Sequence, residues 1–184
     1  AGFTPGLWLA PLIVAPRSGL ARDHAEWLLH DEHGRPVHGG FGSVGFCRGL
    51  DVTVPAAQQW LQNLIATVTQ DWGYSYLKLD FLYGAALPAR RHRPDTTRAQ
   101  ALRRALETIR QAAGPDTFLL GCGCPLGPAI GLVDAMRVGA DVAPDWHPRY
   151  GLATPVIQGD PSFPATANTC LLYTSDAADD LLCV

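Results

Sequence analysis

Apolar residues in the chain occur as short runs separated by longer segments with helical periodicity. Four of the short runs predict β-strands: GLWLAPLIV (6–14), YLKLDFLY (76–83), TFLLGCG (117–123) and DAMRVG (134–139). The first strand is expected to end near Pro11 or Pro16. Strands that alternate with helices indicate an α/β fold, in which parallel strands are joined by helical crossovers.

Two long segments have apolar residues at the spacing of an amphipathic helix. Pro55 suits the first turn of one helix and Gly73 lies just past its end, and its apolar face consists of Trp60, Leu61, Leu64, Ile65, Val68 and Trp72. The other helix is expected to run from an N-cap at Asp95 or Thr96 to Gly114, with a buried face of Leu102, Ala105, Leu106, Ile109 and Ala113. We expect both faces, with the two tryptophans, to point into the core.

The remaining segments predict a shorter element and loops. DHAEWLL (23–29) predicts a short helix, whereas residues 30–45 and 84–94 are rich in turn-forming residues and predict loops. The basic run ARRHR (89–93) is interpreted as a solvated loop over the mouth of a site at the strand ends. Asp51 is expected to lie at a strand end or to cap the next helix.

Composition and charge narrow the class of protein. The 184 residues are 47% hydrophobic and 17% charged, with a formal net charge of −3, which is a globular mixture suited to one domain. Because the chain has no basic block, nucleic acid is not an expected partner. No apolar stretch reaches the roughly 20 residues that a membrane span needs. The five cysteines lack a disulfide-framework spacing and predict reduced thiols in a cytosolic protein.

The last residues break the pattern of the rest of the chain. From about Cys170 the sequence CLLYTSDAADDLLCV has no strand–helix rhythm and closely resembles the translation of a synthetic sequencing adapter. We therefore expect one domain over residues 1–169 and a non-native tail over residues 170–184. The alternative interpretation of the tail is a short acidic helix.

Two charged residues interrupt the apolar run 76–83. Residues two apart share a face of a strand, so Lys78 and Asp80 point to the same side. Tyr76 and Leu82 lie on that side, and the residues expected to face the helices are Leu77, Leu79 and Phe81. Burying a charge is costly unless the charge is paired or used. The pair therefore indicates either catalytic groups at the carboxyl end of a barrel strand or a salt bridge on an edge strand.

A second charged pair occurs in MRVGADVAPDW (136–146). If the strand predicted over 134–139 extends that far, Arg137 and Asp141 face the same space, and the glycine between them lets a ligand approach closely. Two strand ends that each carry a cation and a carboxylate indicate that Asp80 and Asp141 converge on one pocket. Paired carboxylates suit glycoside hydrolysis, in which one attacks the anomeric carbon and the other exchanges protons with the departing oxygen and with water.

Four motifs follow one another along the chain: GLWLAPLIV, DHAEWLLHDEHGRPV, LKLDFLYGAALP and GCGCPLGPAIGLVDAMRVGADVAPDW. Their order and spacing resemble the catalytic barrel of glycoside hydrolase family 36, the bacterial α-galactosidases, over about residues 5–150. The resemblance implies an α/β fold that is a partial (β/α)8 TIM barrel, made of about strands three to six with their helices.

The resemblance also implies roles for individual residues. Asp80 would be the nucleophile and Asp141 the acid/base. Substrate contacts are implied for Trp8, Lys78, Cys122 and Arg137. Among these, the two cations would bind sugar hydroxyls, the tryptophan would form part of an apolar wall against the sugar ring, and the cysteine would lie beside the sugar.

By this resemblance the function is that of a retaining α-galactosidase acting on raffinose- or melibiose-like α-galactoside oligosaccharides in the bacterial cytoplasm, without a metal or a cofactor. The alternatives are a related α-glycosidase or transglycosylase of the same fold, a non-catalytic carbohydrate-binding remnant, and a metal-dependent barrel hydrolase. Family strands before and after the matching region have no counterpart in the 184 residues, which would leave two exposed sheet edges. We therefore expect this polypeptide alone to fold poorly and to be inactive.

Overall fold

The computed structural model describes residues 2–42 and 45–138. Its strands are β1 (Gly6–Leu9), β2 (Ile13–Val14), β3 (His38–Gly42), β4 (Gly45–Gly49), β5 (Tyr76–Leu79), β6 (Phe118–Cys122) and β7 (Ala135–Arg137). Its α-helices are α1 (Gly19–Asp23), α2 (Pro55–Ala66), α3 (Arg98–Ala113) and α4 (Leu126–Ala129). The chain divides into two units between Met136 and Arg137, and the fold described below is that of the first unit.

The main sheet has the strand order β1-β5-β6-β7. Strand β5 pairs in parallel with β1 on one side and with β6 on the other, so Trp8, Lys78 and Leu120 lie side by side on neighbouring strands. Along the chain, α2 lies between β1 and β5, and α3 lies between β5 and β6. This alternation confirms the predicted α/β fold with a parallel sheet and helical crossovers.

Leucines on one face of the sheet pack with the apolar faces of the two long helices. Leu77, Leu79 and Leu119 are buried and belong to one cluster with Leu61 and Ile65 of α2 and with Leu102, Leu106 and Ile109 of α3. Each fully buried leucine contributes about 2 kcal/mol through removal of its side chain from water. The helix faces predicted from periodicity are therefore the faces that form the core.

One residue of the predicted helix face lies outside the core. Trp72 is 62% exposed, whereas Trp60 packs against the core as predicted. The cause is a π-helical turn over Thr67–Asp71, which follows α2 directly. A π turn holds more residues than an α turn, so it rotates the residues after it away from the apolar face. Gly73 then ends the helical segment with a φ of 75°.

The two long helices begin at capping residues. Helix α2 begins at Pro55 as predicted. Helix α3 begins one to two residues later than predicted because Thr97 is its N-cap: the Thr97 hydroxyl accepts a hydrogen bond from the Gln100 N–H, and the Gln100 side chain accepts one from the Thr97 N–H. Gly114 ends α3 as predicted. Within the described parts of the chain, none of the helices is long and apolar enough to cross a membrane.

A second, antiparallel sheet lies between β1 and α2 in the chain, with the strand order β2-β4-β3. The prediction of one strand over residues 6–14 was wrong, because the chain turns at Pro11 and Leu12 and β2 joins this second sheet. The loop predicted over residues 30–45 was also wrong, since it contains β3 and the start of β4. Glycine-rich strands pair through their backbones without an alternation of apolar side chains, so periodicity does not detect them.

The short helix predicted over residues 23–29 is displaced towards the N-terminus. The Ser18 hydroxyl accepts a hydrogen bond from the Ala21 N–H and starts α1 before that segment. A 3-10 turn over Ala25–Trp27 follows α1. The imidazole of His24 stacks on the Trp27 indole, with ring centroids 3.9 Å apart.

Arginine side chains hold several loops by donating to main-chain carbonyl oxygens. Arg91 donates to the carbonyl oxygens of Ala85 and Leu87, at 2.9 and 2.8 Å. Arg110 of α3 donates to the carbonyl oxygens of Thr117 and Leu132, just before β6 and β7. Arg91 therefore anchors the basic run 89–93, while Arg90, His92 and Arg93 are exposed, as predicted for a solvated loop. Its position over the mouth of a site stays a prediction.

Candidate active site

The carboxylate of Asp80 lies at the carboxyl end of β5. Its backbone N–H donates to the Leu9 carbonyl oxygen at 2.8 Å, which continues the pairing of β1 and β5 by one residue. One carboxylate oxygen, Oδ2, accepts a hydrogen bond from Trp8 Nε1 at 3.1 Å, and the other, Oδ1, accepts one from the Phe81 N–H at 2.9 Å. The Asp80 residue is only 8% exposed. Two donors from different segments thus fix the orientation of a nearly buried carboxylate.

Trp8 and Lys78 lie on the adjacent strands β1 and β5, and Lys78 precedes Asp80 by two residues. The register of β1 and β5 places Trp8 directly beside Lys78. Trp8 is 52% exposed although its ring nitrogen reaches Asp80, and Lys78 is half-buried. These three side chains therefore lie at one end of the sheet, on the face opposite the buried leucines.

Cys122 is the last residue of β6 and is fully buried. Leu79 lies opposite Gly121 in the register of β5 and β6, so Cys122 is level with Asp80 on the neighbouring strand. Among the described residues, Cys47, Cys122 and Cys124 form no disulfide. Burial, and to a smaller extent the neighbouring Cys122, raises the pKa of the Cys124 thiol to about 11.

The other half of the predicted site is not part of the first unit. Arg137 is the last residue of β7 and the first residue of the second unit. Asp141 lies outside the described residues, as does the predicted boundary near residues 169 and 170. The convergence of Asp80 and Asp141 on one pocket and the non-native nature of the tail therefore stay predictions.

The strand predicted over residues 76–83 ends at Leu79, four residues early. Phe81 has a left-handed backbone, with φ 52° and ψ 36°, and a 3-10 turn over Leu82–Ala86 follows. The alternation expected for this segment was wrong beyond Asp80, because the turn places Leu82 in the core and leaves Phe81 half-buried.

Sequence reasoning missed Tyr83, which connects the turn after Asp80 to two other segments. The Tyr83 hydroxyl donates to the Gly39 carbonyl oxygen of β3 at 2.7 Å, and the Tyr83 N–H donates to the Gly123 carbonyl oxygen at 2.8 Å. Burial raises the pKa of the Tyr83 hydroxyl, and the nearby carboxylate of Asp80 raises it further. The hydroxyl therefore remains protonated at neutral pH and available as a donor.

Asp51 is a structural residue, as expected. It is 3% exposed and follows β4 by two residues. Its Oδ1 accepts hydrogen bonds from the N–H and the hydroxyl of Thr53, at 2.9 and 2.7 Å, and its Oδ2 accepts one from the His92 N–H at 2.7 Å. The Arg93 N–H donates to the Thr53 hydroxyl oxygen at 3.1 Å. Asp51 thus joins the start of α2 to the loop between β5 and α3.

Asp134 also has a structural role. Its Oδ2 accepts hydrogen bonds from the Leu119 N–H at 2.7 Å and from Arg110 Nη2 at 2.6 Å. Partial burial acts to raise the pKa of Asp134, but these two hydrogen bonds and the Arg110 charge outweigh it and lower the pKa. The carboxylate thereby ties α3 and β6 to the segment that leads into β7.

A surface cavity of about 430 Å³ lies between the turn at residues 31–35 and the loop at residues 88–90. Its lining includes two carboxylates and two guanidinium groups, and Asp31 is already paired with Arg35 at 2.8 Å. None of the predicted site residues lines this cavity.

A parallel α/β sheet with a nearly buried, oriented carboxylate at the carboxyl end of a strand is the arrangement of barrel enzymes. The α-galactosidase TtGalA from Thermus thermophilus, solved with stachyose, is 37% identical over 93% of this chain, with a TM-score of 0.75. The same enzyme with p-nitrophenyl α-D-galactopyranoside is 38% identical over 92% of the chain, again with a TM-score of 0.75. A GH31 family sulfoquinovosidase from E. rectale, 13% identical over 74% of this chain and 22% of its own, matches in fold with a TM-score of 0.54. No protein-family model matches the chain.

The chain is therefore homologous to α-galactosidases, and its sheet and helices match part of the glycosidase catalytic barrel. It spans 35% and 33% of the length of the chains in the two Thermus structures. The resemblance predicted from the four motifs, to a catalytic-barrel segment of an α-galactosidase, is confirmed.

Proposed function

We propose that this chain is a segment of a retaining α-galactosidase that hydrolyses terminal α-galactosides. In this proposal Asp80 is the nucleophile and Asp141 is the acid/base. Trp8, Lys78, Cys122 and Arg137 line the site of the terminal sugar. The single observation that carries the proposal is the Asp80 carboxylate, oriented by Trp8 and by its own neighbour at the end of β5.

The reaction proceeds by two displacements. Asp80 attacks the anomeric carbon and forms a covalent glycosyl-enzyme, while Asp141 gives its proton to the departing oxygen. Asp141 then takes a proton from water, whose oxygen attacks the same carbon and releases Asp80. This mechanism requires the two carboxyl groups to be about 5 Å apart.

The hydrogen bonds of Asp80 suit this role. Trp8 Nε1 holds Oδ2 of the carboxylate, and the Phe81 N–H holds Oδ1. The two bonds also restrict rotation of the carboxylate, and holding a nucleophile in its reactive orientation lowers the entropic barrier to reaction. The half-exposed indole of Trp8 offers an apolar surface next to this carboxylate, as a sugar ring requires.

The substrate class is supported by the homologous Thermus enzyme, which was solved with stachyose and with p-nitrophenyl α-D-galactopyranoside. We therefore propose α-galactoside oligosaccharides as substrates, processed in the bacterial cytoplasm. The role of Lys78 is to donate hydrogen bonds to sugar hydroxyls from the strand position next to Trp8.

The test uses the complete enzyme that carries this segment. Asp80→Ala should abolish hydrolysis of p-nitrophenyl α-galactoside, and added azide should restore p-nitrophenol release with formation of β-galactosyl azide, since azide can replace the missing nucleophile. Asp116→Ala is the matched control, because Asp116 is an exposed carboxylate before β6, at the opposite end of the sheet. Formation of β-galactosyl azide by Asp141→Ala but not by Asp80→Ala would reverse the two roles, because only replacement of the nucleophile inverts the anomeric carbon. Full activity of Asp80→Ala would refute the proposal.

A further inference from the structure

The residue after Asp80 has an unfavourable backbone conformation. Among the described residues, Phe81 is the non-glycine residue with a positive φ, at 52°. A bulky side chain rarely adopts this left-handed conformation, because its Cβ crowds the carbonyl oxygen. Such strain persists only where the surrounding structure enforces it. The N–H of the peptide between Asp80 and this strained residue donates to Asp80 Oδ1 at 2.9 Å.

Tyr83 supplies the contacts that hold this conformation. Its backbone N–H and its hydroxyl bind the carbonyl oxygens of Gly123 and Gly39, in the loop after β6 and in β3. Its ring packs edge-on against the Phe81 ring, with centroids 6.2 Å apart. The turn that contains Phe81 and Tyr83 is thus attached on both sides to segments outside β5.

The backbone around this turn is closely packed. A Cβ placed on Gly123 would lie 3.5 Å from the Cα and N atoms of Phe81, so the loop after β6 lies directly against the strained residue. A Cβ on Gly84 would collide with the carbonyl oxygen of Leu12, so the other side of the turn lies against the loop after β1. Movement of Phe81 out of its left-handed conformation would have to displace one of these backbones.

We propose that Tyr83 is a positioning residue for the nucleophile: by anchoring the turn to Gly39 and Gly123 it fixes the peptide group between Asp80 and Phe81, and the N–H of that peptide orients the Asp80 carboxylate. This inference rests on the proposed role of Asp80. Tyr83 itself does not contact the reacting atoms in this scheme. It acts through the backbone of Phe81.

The test compares Tyr83→Phe with Tyr74→Phe in the complete enzyme. Tyr83→Phe removes only the hydroxyl bond to Gly39, and Tyr74→Phe removes a hydroxyl from a tyrosine that precedes β5 at the opposite end of the strand. For p-nitrophenyl α-galactoside, Tyr83→Phe should lower kcat about tenfold with little change in KM, because a misaligned nucleophile reacts more slowly although the sugar still binds. Tyr74→Phe should leave kcat unchanged.

Azide rescue distinguishes positioning from general damage to the site. Azide is not attached to β5, so its attack does not depend on the Phe81 N–H. Asp80→Ala and the double variant Asp80→Ala/Tyr83→Phe should therefore show azide-rescued rates equal within about twofold. If Tyr83→Phe also lowers the azide-rescued rate tenfold, it distorts the whole sugar site and the inference is wrong.

A second variant tests the backbone conformation directly. Without the Tyr83 hydroxyl bond, a strained Phe81 can relax and move the peptide group that precedes it, whereas glycine adopts the left-handed region at no steric cost. Phe81→Gly added to Tyr83→Phe should therefore recover most of the lost kcat, and failure to recover it would overturn the inference. The proposed function fails separately: if Asp80→Ala retains full activity, the nucleophile is assigned wrongly. If azide rescues Asp80→Ala but Tyr83→Phe has the wild-type kcat, only the role of Tyr83 is refuted.

Discussion

Removal of the Asp51 carboxylate should release the loop between β5 and α3. Asp51 is nearly buried, and its Oδ2 holds the His92 N–H at 2.7 Å. Its Oδ1 fixes the Thr53 hydroxyl, which in turn accepts from the Arg93 N–H. Asp51→Ala therefore removes one direct contact to the loop and loosens a second one.

The magnitude follows from the hydrogen bonds that are lost. A hydrogen bond to a charged acceptor contributes about 1.5–3 kcal/mol. Taking about 2 kcal/mol for the direct bond to His92, the open fraction of the loop should rise roughly 30-fold. Cleavage after Arg90 or Arg91 also requires the bonds from the Arg90 N–H to the His30 oxygen and from Arg91 to the Leu87 oxygen to open, but both bonds are present in the variant and in the wild type and cancel from the ratio of rates.

Limited trypsin digestion of the complete enzyme measures this opening. Cleavage after Arg90 and Arg91 should accelerate roughly 30-fold in Asp51→Ala, provided that the loop closes faster than trypsin cuts. Arg93 is a poor site because Pro94 follows it. Asp116→Ala serves as the control and should be cleaved at the wild-type rate. Equal cleavage rates in Asp51→Ala and the wild type would refute the reasoning.

Four further predictions concern single groups and the isolated chain. Trp8→Phe keeps an aromatic ring but loses the bond to Asp80, so kcat/KM for p-nitrophenyl α-galactoside in the complete enzyme should fall roughly tenfold; an unchanged value would show that the bond is dispensable. Because the pKa of Asp134 is lowered in the folded state, its stabilising effect is present above the ordinary carboxyl range and is lost as pH falls through the folded-state pKa. Urea midpoints should therefore decline more below about pH 4 in the wild type than in Asp134→Asn, and parallel declines would contradict this. Iodoacetamide should modify Cys124 slowly at pH 8 and faster up to about pH 11, and rapid labelling at pH 8 would argue against a raised pKa. The 184-residue polypeptide alone should show neither a cooperative melt nor hydrolysis of an aryl α-galactoside, since β1 is an edge strand; both together would disprove the expectation.

The two long helices could be predicted from the sequence because burial imposes a period on their side chains. Leu61 and Ile65 repeat at helical spacing, and so do Leu102, Leu106 and Ile109 on α3. The hairpin of β3 and β4 could not be predicted, because its glycine-rich strands pair through backbone groups that every residue carries. Trp72 was misplaced because the π turn before it has no sequence signature.

For the site, the placement of three side chains could be predicted and the geometry around them could not. Trp8, Lys78 and Asp80 were placed together by motif order and by alternation along a strand. Alternation then failed at Phe81, since apolar residues continue through a segment whose backbone turns left-handed. Tyr83 was missed because its partners, Gly39 and Gly123, are distant in sequence and contribute only carbonyl oxygens.

The arginine anchors of the loops have an evolutionary consequence. The guanidinium groups of Arg91 and Arg110 donate hydrogen bonds to main-chain carbonyl oxygens. Every residue type has such an oxygen, so substitutions in these segments leave the acceptors in place. Mutations can therefore accumulate in these connecting segments while their paths over the barrel rim are preserved. Loss of either arginine would instead break several attachments at once, so drift in these segments should change their side chains before it changes their paths.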